Sequence, residues 1–229
     1  LIISGGAGII DICGKKRPEV GWSKIIWGLQ KTPTIGVDPY TRTDYFQSLS
    51  MWRVTDAVES WSWEGCEGKK ASVTVYSDAD KIELLVNGKS AGKKKPKKDI
   101  AKFRKIPYEA GKIEAIAYDS SGKETARTTL VSATGKTSIK LTPETTNLCA
   151  NGQDLCFLNI DLIGENGITK SSVDQELKIE ISGPATLQGY GSARPNVEES
   201  FCNDTFKTFY GKSLAVIRAG YEPGTVTVK

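Results

Sequence analysis

The side chains able to do chemistry in this sequence are carboxylates, lysines and thiols, because its 229 residues include no histidine. That removes the commonest general base and metal ligand, and with it serine–histidine and cysteine–histidine catalysis and histidine-based zinc sites. Glu198-Glu199 is an adjacent glutamate pair, and two carboxyl groups facing each other across a glycosidic bond are what sugar hydrolysis requires. Neighbours on a strand point to opposite faces, however, so this pair converges only in an irregular loop, and no catalytic residue is assigned. Asp78 and Asp80 have the i, i+2 spacing of a calcium loop but lack the glycine and distant glutamate that would follow in register, which favours a turn. No metal site and no cofactor is expected. Cys13, Cys66, Cys149, Cys156 and Cys202 contain no Cys-x-x-Cys pair. Cys149 and Cys156 flank a polar turn where a disulfide is conceivable, but isolated thiols and a reducing compartment are the expectation.

Aromatic rings and cations are the other candidates for binding. Trp22, Trp27, Trp52, Trp61 and Trp63 all lie in the first 63 residues. Trp61 and Trp63 are the candidates for stacking on a sugar face, but alternating residues share one side of a strand, so packing is the expected role. The same packing role between the N-terminal segment, the first domain and whatever precedes it is expected of Trp22, Ile25, Ile26 and Trp27. Net charge is +4, yet residues 89–105 hold nine cations against Asp99 alone, a local +8, leaving −4 for the rest. Basicity confined to one stretch after a hairpin turn is expected to guard a solvated edge strand; neither nucleic acid nor acidic polysaccharide is assigned as a partner.

The elements that would position these residues change period along the chain. From Pro18 to about Gln30, Trp22, Ile25, Ile26 and Leu29 fall at i, i+3, i+4 and i+7, predicting a helix with Pro18 in its first turn. Beyond Thr32 short alternating or β-branched runs take over: Ala71–Tyr76, Lys81–Val86, Lys112–Tyr118 and Glu124–Val131. Asn87-Gly88 is the pair a two-residue type I′ hairpin turn demands. The small, polar residues Thr134–Thr137 mark a boundary, followed by strands predicted at Ser138–Leu141, Leu155–Ile163, Leu177–Ile181, Leu214–Arg218 and Thr225–Val228. No apolar run approaches the roughly 20 residues a bilayer crossing needs, so no membrane is expected. A chain that opens at Leu1 without a signal-peptide pattern is expected to be cut from a longer protein.

Three stretches resemble the C-terminal region of glycoside hydrolase family 2, the β-galactosidase and β-glucuronidase group. Gly8-Ile9-Ile10-Asp11-Ile12-Cys13-Gly14, with Lys16-Arg17-Pro18 and a helix ending Ile26-Trp27-Gly28, is similar to the segment that closes that family's catalytic (β/α)8 barrel. Ser60-Trp61-Ser62-Trp63-Glu64-Gly65, then Val73–Asp80 and Ile82–Lys89, resembles the small sandwich after the barrel. Gly189-Tyr190-Gly191-Ser192-Ala193-Arg194-Pro195 and Thr208–Ala215 resemble the terminal immunoglobulin-like domain. The resemblance implies a retaining mechanism whose acid/base glutamate follows an asparagine, and this chain has no Asn-Glu dipeptide.

The expected architecture is therefore all-β: a helix-containing barrel remnant over 1–32, a first β-sandwich over 33–135 and a second, immunoglobulin-like sandwich over 136–229. The expected function is that of non-catalytic accessory domains of a retaining, β-galactosidase-like exo-glycosidase. Their partners would be the enzyme's own catalytic barrel, absent from this chain, and its carbohydrate substrate. An autonomous carbohydrate-binding module and a pair of adhesion domains are the alternatives. The compartment stays open, with bacterial cytoplasm favoured by the unpaired thiols over secretion or periplasm.

Overall fold

The computed structural model describes residues 8–41, 55–195 and 197–229, and the chain divides after Thr134 into two compact units. Trp52 lies outside the described residues. Among the described residues one short helix accompanies a predominantly β architecture, and no helix is long and apolar enough to cross a membrane.

The first unit opens with α1 (Pro18–Ile26), β1 (Thr34–Val37), β2 (Lys70–Tyr76), β3 (Lys81–Val86) and β4 (Lys89–Lys94), then β5 (Ile100–Pro107), β6 (Lys112–Tyr118) and β7 (Glu124–Val131). Proline at the helix start presets the first turn, Glu19 and Lys24 suit the helix dipole, and Gly28 at φ +68° stops it. The helix is thus shorter than the predicted span to Gln30. Its buried edge is also rotated from the predicted one: Pro18, Gly21 and Ile25 face inward, whereas Ile26 and Leu29 are exposed. Gly21 explains the rotation, since a Cβ there would lie 2.0 Å from Thr34 Oγ1. The absent side chain lets helix and strand approach closely.

Two antiparallel sheets build this unit, in the orders β1-β2-β5 and β4-β3-β6-β7. β4 lies beside β5 and β1 beside β7, so the sheets meet along both sides. Ile35, Val37, Val73, Val75 and Phe103 from one sheet and Ile82, Leu84, Ile113 and Ala115 from the other are almost fully buried. Asn87 (φ 47°) and Gly88 (φ 79°) form the tight turn between β3 and β4, fixing Val86 opposite Lys89. The basic stretch supplies two strands, β4 and β5, where a single solvated edge strand is expected, because Ala101, Phe103 and Ile106 punctuate the lysines with buried apolar positions.

The second unit contains β8 (Ser138–Pro143), β9 (Leu155–Ile163), β10 (Glu176–Lys178), β11 (Ile181–Ser182) and β12 (Ala185–Gly191), then β13 (Thr205–Lys207), β14 (Lys212–Ala219) and β15 (Thr227–Val228). A four-stranded sheet, β12-β14-β9-β8, is joined by the ribbons β10-β13 and β11-β15 around a core of Leu158, Ile160, Ile179, Tyr190, Phe206 and Ile217. The single strand predicted at Leu177–Ile181 is two short ones. They pair with different partners, while Ile179 between them buries its side chain and donates its N–H to Asp204.

Candidate functional site

Trp61 and Trp63 are held at zero exposure in the first unit, with Tyr40 and Tyr108 packed around them. Trp61 meets Tyr108 edge to face at 5.2 Å between ring centroids, and Tyr40 lies 6.1 Å from Trp61 and 5.8 Å from Trp63. Each polar tip finds a partner. Trp61 Nε1 donates to the Glu109 carbonyl at 3.0 Å, Trp63 Nε1 to the Ser60 carbonyl at 3.2 Å, and the Tyr40 hydroxyl to the Ile106 carbonyl at 3.0 Å. Tyr108 Oη lies 3.1 Å from Ser132 Oγ, which in turn donates to the Trp61 carbonyl. Burial pushes the Tyr40 phenol well above its ordinary range. A ring with no exposed face cannot stack on a pyranose, so the cluster is a tie between the 55–63 segment and the end of β5.

The remaining packing candidates fall on both sides of the surface. Ile25 is buried, Trp22 stacks on Tyr76 at 5.8 Å, and Ile26 and Trp27 stand exposed at 55% and 79%. Leu29 is exposed as well, and so are Ile9, Ile10 and Ile12 in the loop before the helix. That loop is built: Asp11 Oδ1 accepts the N–H groups of Cys13 and Lys15, both at 2.9 Å, and Arg17 N donates to the Ile9 carbonyl. These apolar side chains, presented by an ordered loop and helix end, are thus left exposed to solvent among the described residues.

The carboxylates singled out in the sequence do not converge on a reaction site. Glu198 and Glu199 lie in irregular backbone, where the Glu199 carboxylate accepts the Glu198 N–H at 3.1 Å. Asp78 pairs with Lys31 at 2.7 Å. Two glutamates missed by the sequence reading are buried on the outer face of the β4-β3-β6-β7 sheet: Glu83 and Glu114. Burial would raise Glu83, but hydrogen bonds from Ser90, Tyr118 and Lys93 and the Lys93 charge outweigh it and hold it below the ordinary carboxylate value. Lys112, bonded at 3.0 Å, lowers Glu114 against its burial, with Arg127 at 2.9 Å adding to the effect. Carboxylates held ionised by lysine and arginine are poor proton donors. Their signal in the sequence was a charged residue in the middle of an apolar strand run.

All five cysteines are free thiols, including Cys149 and Cys156. Cys156 Sγ is instead 3.2 Å from the Thr145 carbonyl, and Cys149 takes part in a turn centred on Asp154. Among the described residues no group of three or more acidic or sulfur side chains could hold a metal ion.

Residues 139–229 match the model of glycoside hydrolase family 2 C-terminal domain 5, and residues 68–126 match a domain of unknown function, DUF4982. A β-galactosidase of Bacteroides ovatus is 32% identical over 187 residues, covering 79% of this chain and 21% of that protein. A putative β-glucuronidase of Formosa agariphila is 28% identical over 168 residues, covering 71% and 16%. Among solved structures, a glycosyl hydrolase family 2 member from Bacteroides cellulosilyticus superposes with TM-score 0.85 at 31% identity, covering 97% of this chain and 29% of that one. A β-glycosidase from Bacteroides vulgatus gives 0.72 at 26% identity, covering 97% and 26%. The chain therefore spans about a fifth of the length of the first of these relatives.

Proposed function

We propose that this chain, which belongs to the C-terminal region of glycoside hydrolase family 2, is a non-catalytic accessory part of a retaining, β-galactosidase-like exo-glycosidase. In this reading residues 1–32 are the end of a (β/α)8 barrel, 33–135 the first sandwich and 136–229 a second, immunoglobulin-like one. The observation that carries it is the division of the apolar residues into two sets. The aromatic cluster around Trp61 and Trp63 is closed and hydrogen-bonded internally, whereas Ile9, Ile10, Ile12, Ile26, Trp27 and Leu29 stand exposed on an ordered loop and helix end, uncovered among the described residues. Surfaces of that kind are the docking half of an interface, and their partner here is the enzyme's own catalytic barrel.

The chemistry supports the same division of labour. Retaining hydrolysis needs two carboxyl groups about 5–5.5 Å apart, one able to donate a proton. Of the buried glutamates, Glu83 and Glu114 are each committed to cations and Glu19 sits in the first turn of α1, and Glu198 and Glu199 lie in irregular backbone. The parent's sugar substrate is then handled by residues outside this chain. Purified chain should unfold cooperatively yet release no aryl aglycone from β-galactosides, β-glucuronides or β-mannosides above a buffer blank. Turnover abolished by replacing one of its own glutamates would overturn the reading.

A further inference from the structure

The cations of residues 89–105 are more concentrated than an edge guard requires. β4 and β5 are the edge strands of their respective sheets and lie side by side, so the basic stretch covers one flank of the first unit. Lys89, Lys93, Lys94, Lys95, Lys97, Lys98, Lys102, Arg104 and Lys105 are all exposed. Lysines on β4 alone would suffice to discourage pairing with another chain. Elsewhere on this unit Lys31 pairs with Asp78, Lys112 and Arg127 pair with Glu114, and Arg127 pairs again with Glu124. Among the described residues of the flank Lys93 pairs with Glu83 at 3.2 Å, Lys102 faces the Asp38 charge, and Lys94 is spent on the Lys102 carbonyl and the Phe103 ring. Lys89, Lys95, Lys97, Lys98, Arg104 and Lys105 have no ion pair among the described residues. Lys98 (φ 52°) and Lys105 (φ 59°) moreover occupy the left-handed backbone region that glycine or asparagine adopts more readily.

We propose that this flank, formed by β4, the 95–99 connection and β5, binds the repeated negative charges of an acidic polysaccharide chain. Uncompensated like charges close together raise the local potential, and an anionic polymer relieves it by replacing many small counterions at once. Polysaccharide is chosen over nucleic acid on two grounds. The single aromatic ring in the stretch, Phe103, is 2% exposed and so offers no platform for stacking the bases of a single strand, which leaves duplex DNA to the test below. The choice also rests on the glycosidase reading given above.

The test is affinity electrophoresis of the full chain in native gels containing polygalacturonate, dextran or duplex DNA. Wild type should be retarded by polygalacturonate and not by dextran, with affinity falling at least about tenfold between low and physiological salt. Replacing Lys95, Lys97, Lys98 and Lys105 together by glutamine should weaken retention about tenfold or more, and replacing the same four by arginine should preserve it. No retardation, salt-insensitive retardation, or retention unchanged in the glutamine variant would overturn the proposal. Duplex DNA held as tightly as polygalacturonate would overturn the choice of partner. These outcomes are independent of turnover, which is read with aryl glycosides and tests the accessory role separately.

Discussion

Trp61 and Tyr108 meet edge to face with ring centroids 5.2 Å apart, while Ser132 Oγ bridges the Tyr108 hydroxyl and the Trp61 carbonyl. Side chains from the segment before β2 and from the end of β5 are thereby locked together at zero and 1% exposure. Trp61→Ala should lower unfolding free energy by about 3–5 kcal/mol in urea titrations, the usual cost of emptying a large aromatic site. Binding to immobilised galactans should be unchanged. A variant that kept its stability but lost such binding would transfer the ring to a sugar site.

Glu83 and Glu114 are both easier to ionise in the folded chain than in the unfolded one. A lowered folded value contributes stability that is full above the unfolded carboxylate value of about 4.3 and is lost as pH falls through the folded value. The thermal midpoint should therefore fall with acid below about pH 5. The double variant Glu83→Gln, Glu114→Gln should be less stable at neutral pH and show a shallower acid slope. Equal slopes would mean that these pairs contribute nothing.

Asn87 does two jobs, turning the backbone at φ 47° and using its side chain to accept the Lys112 N–H at 2.8 Å and donate to the Ala110 carbonyl at 3.0 Å. Asn87→Ala should cost about 1–3 kcal/mol, more than turn strain alone, because two backbone groups lose partners. Gly88→Ala, whose new methyl would meet nothing within 4 Å, should cost about 1 kcal/mol through backbone strain only. Chemical denaturation of both variants gives the comparison.

The free thiols should react in two classes. Cys149 and Cys202 are exposed and Cys66 and Cys156 buried. Burial, reinforced by the Asp11 charge, pushes the Cys13 thiol up to about 12. A thiolate is the reacting species, so Cys13 should be silent to a disulfide reagent near neutral pH. In the native chain Cys202 should titrate first, Cys149 more slowly because its hydrogen bond to Asp154 and that carboxylate's charge raise its thiol, and the others only on unfolding. A rapid third equivalent mapped to Cys13 would contradict its placement.

Much of this was legible because period and turn chemistry are local. Lys81–Val86, Lys112–Tyr118, Glu124–Val131 and Leu155–Ile163 lie where alternation predicts strands, and Asn87-Gly88 lies where the hairpin turn does. The orientation of α1 was not legible, since the close approach of Gly21 to Thr34 depends on a strand that follows the helix. Splitting Leu177–Ile181 between two partners likewise required strands about 30 and 45 residues further on. At the site, the sequence singled out the tryptophans. That Trp61 and Trp63 face inward while Trp27 faces outward is set by tertiary contacts which spacing does not encode.

Thermal inactivation of the longer glycosidase proposed above, carrying Trp27→Asp and Leu29→Asp, tests the accessory role most directly. Both residues are already exposed in this chain, at 79% and 76%, so the isolated chain should keep its own melting temperature. If they dock on the catalytic barrel, the parent should inactivate at lower temperature while kcat/KM measured well below that temperature is unchanged. Unaltered inactivation, or a fall in kcat/KM with stability intact, would contradict the account.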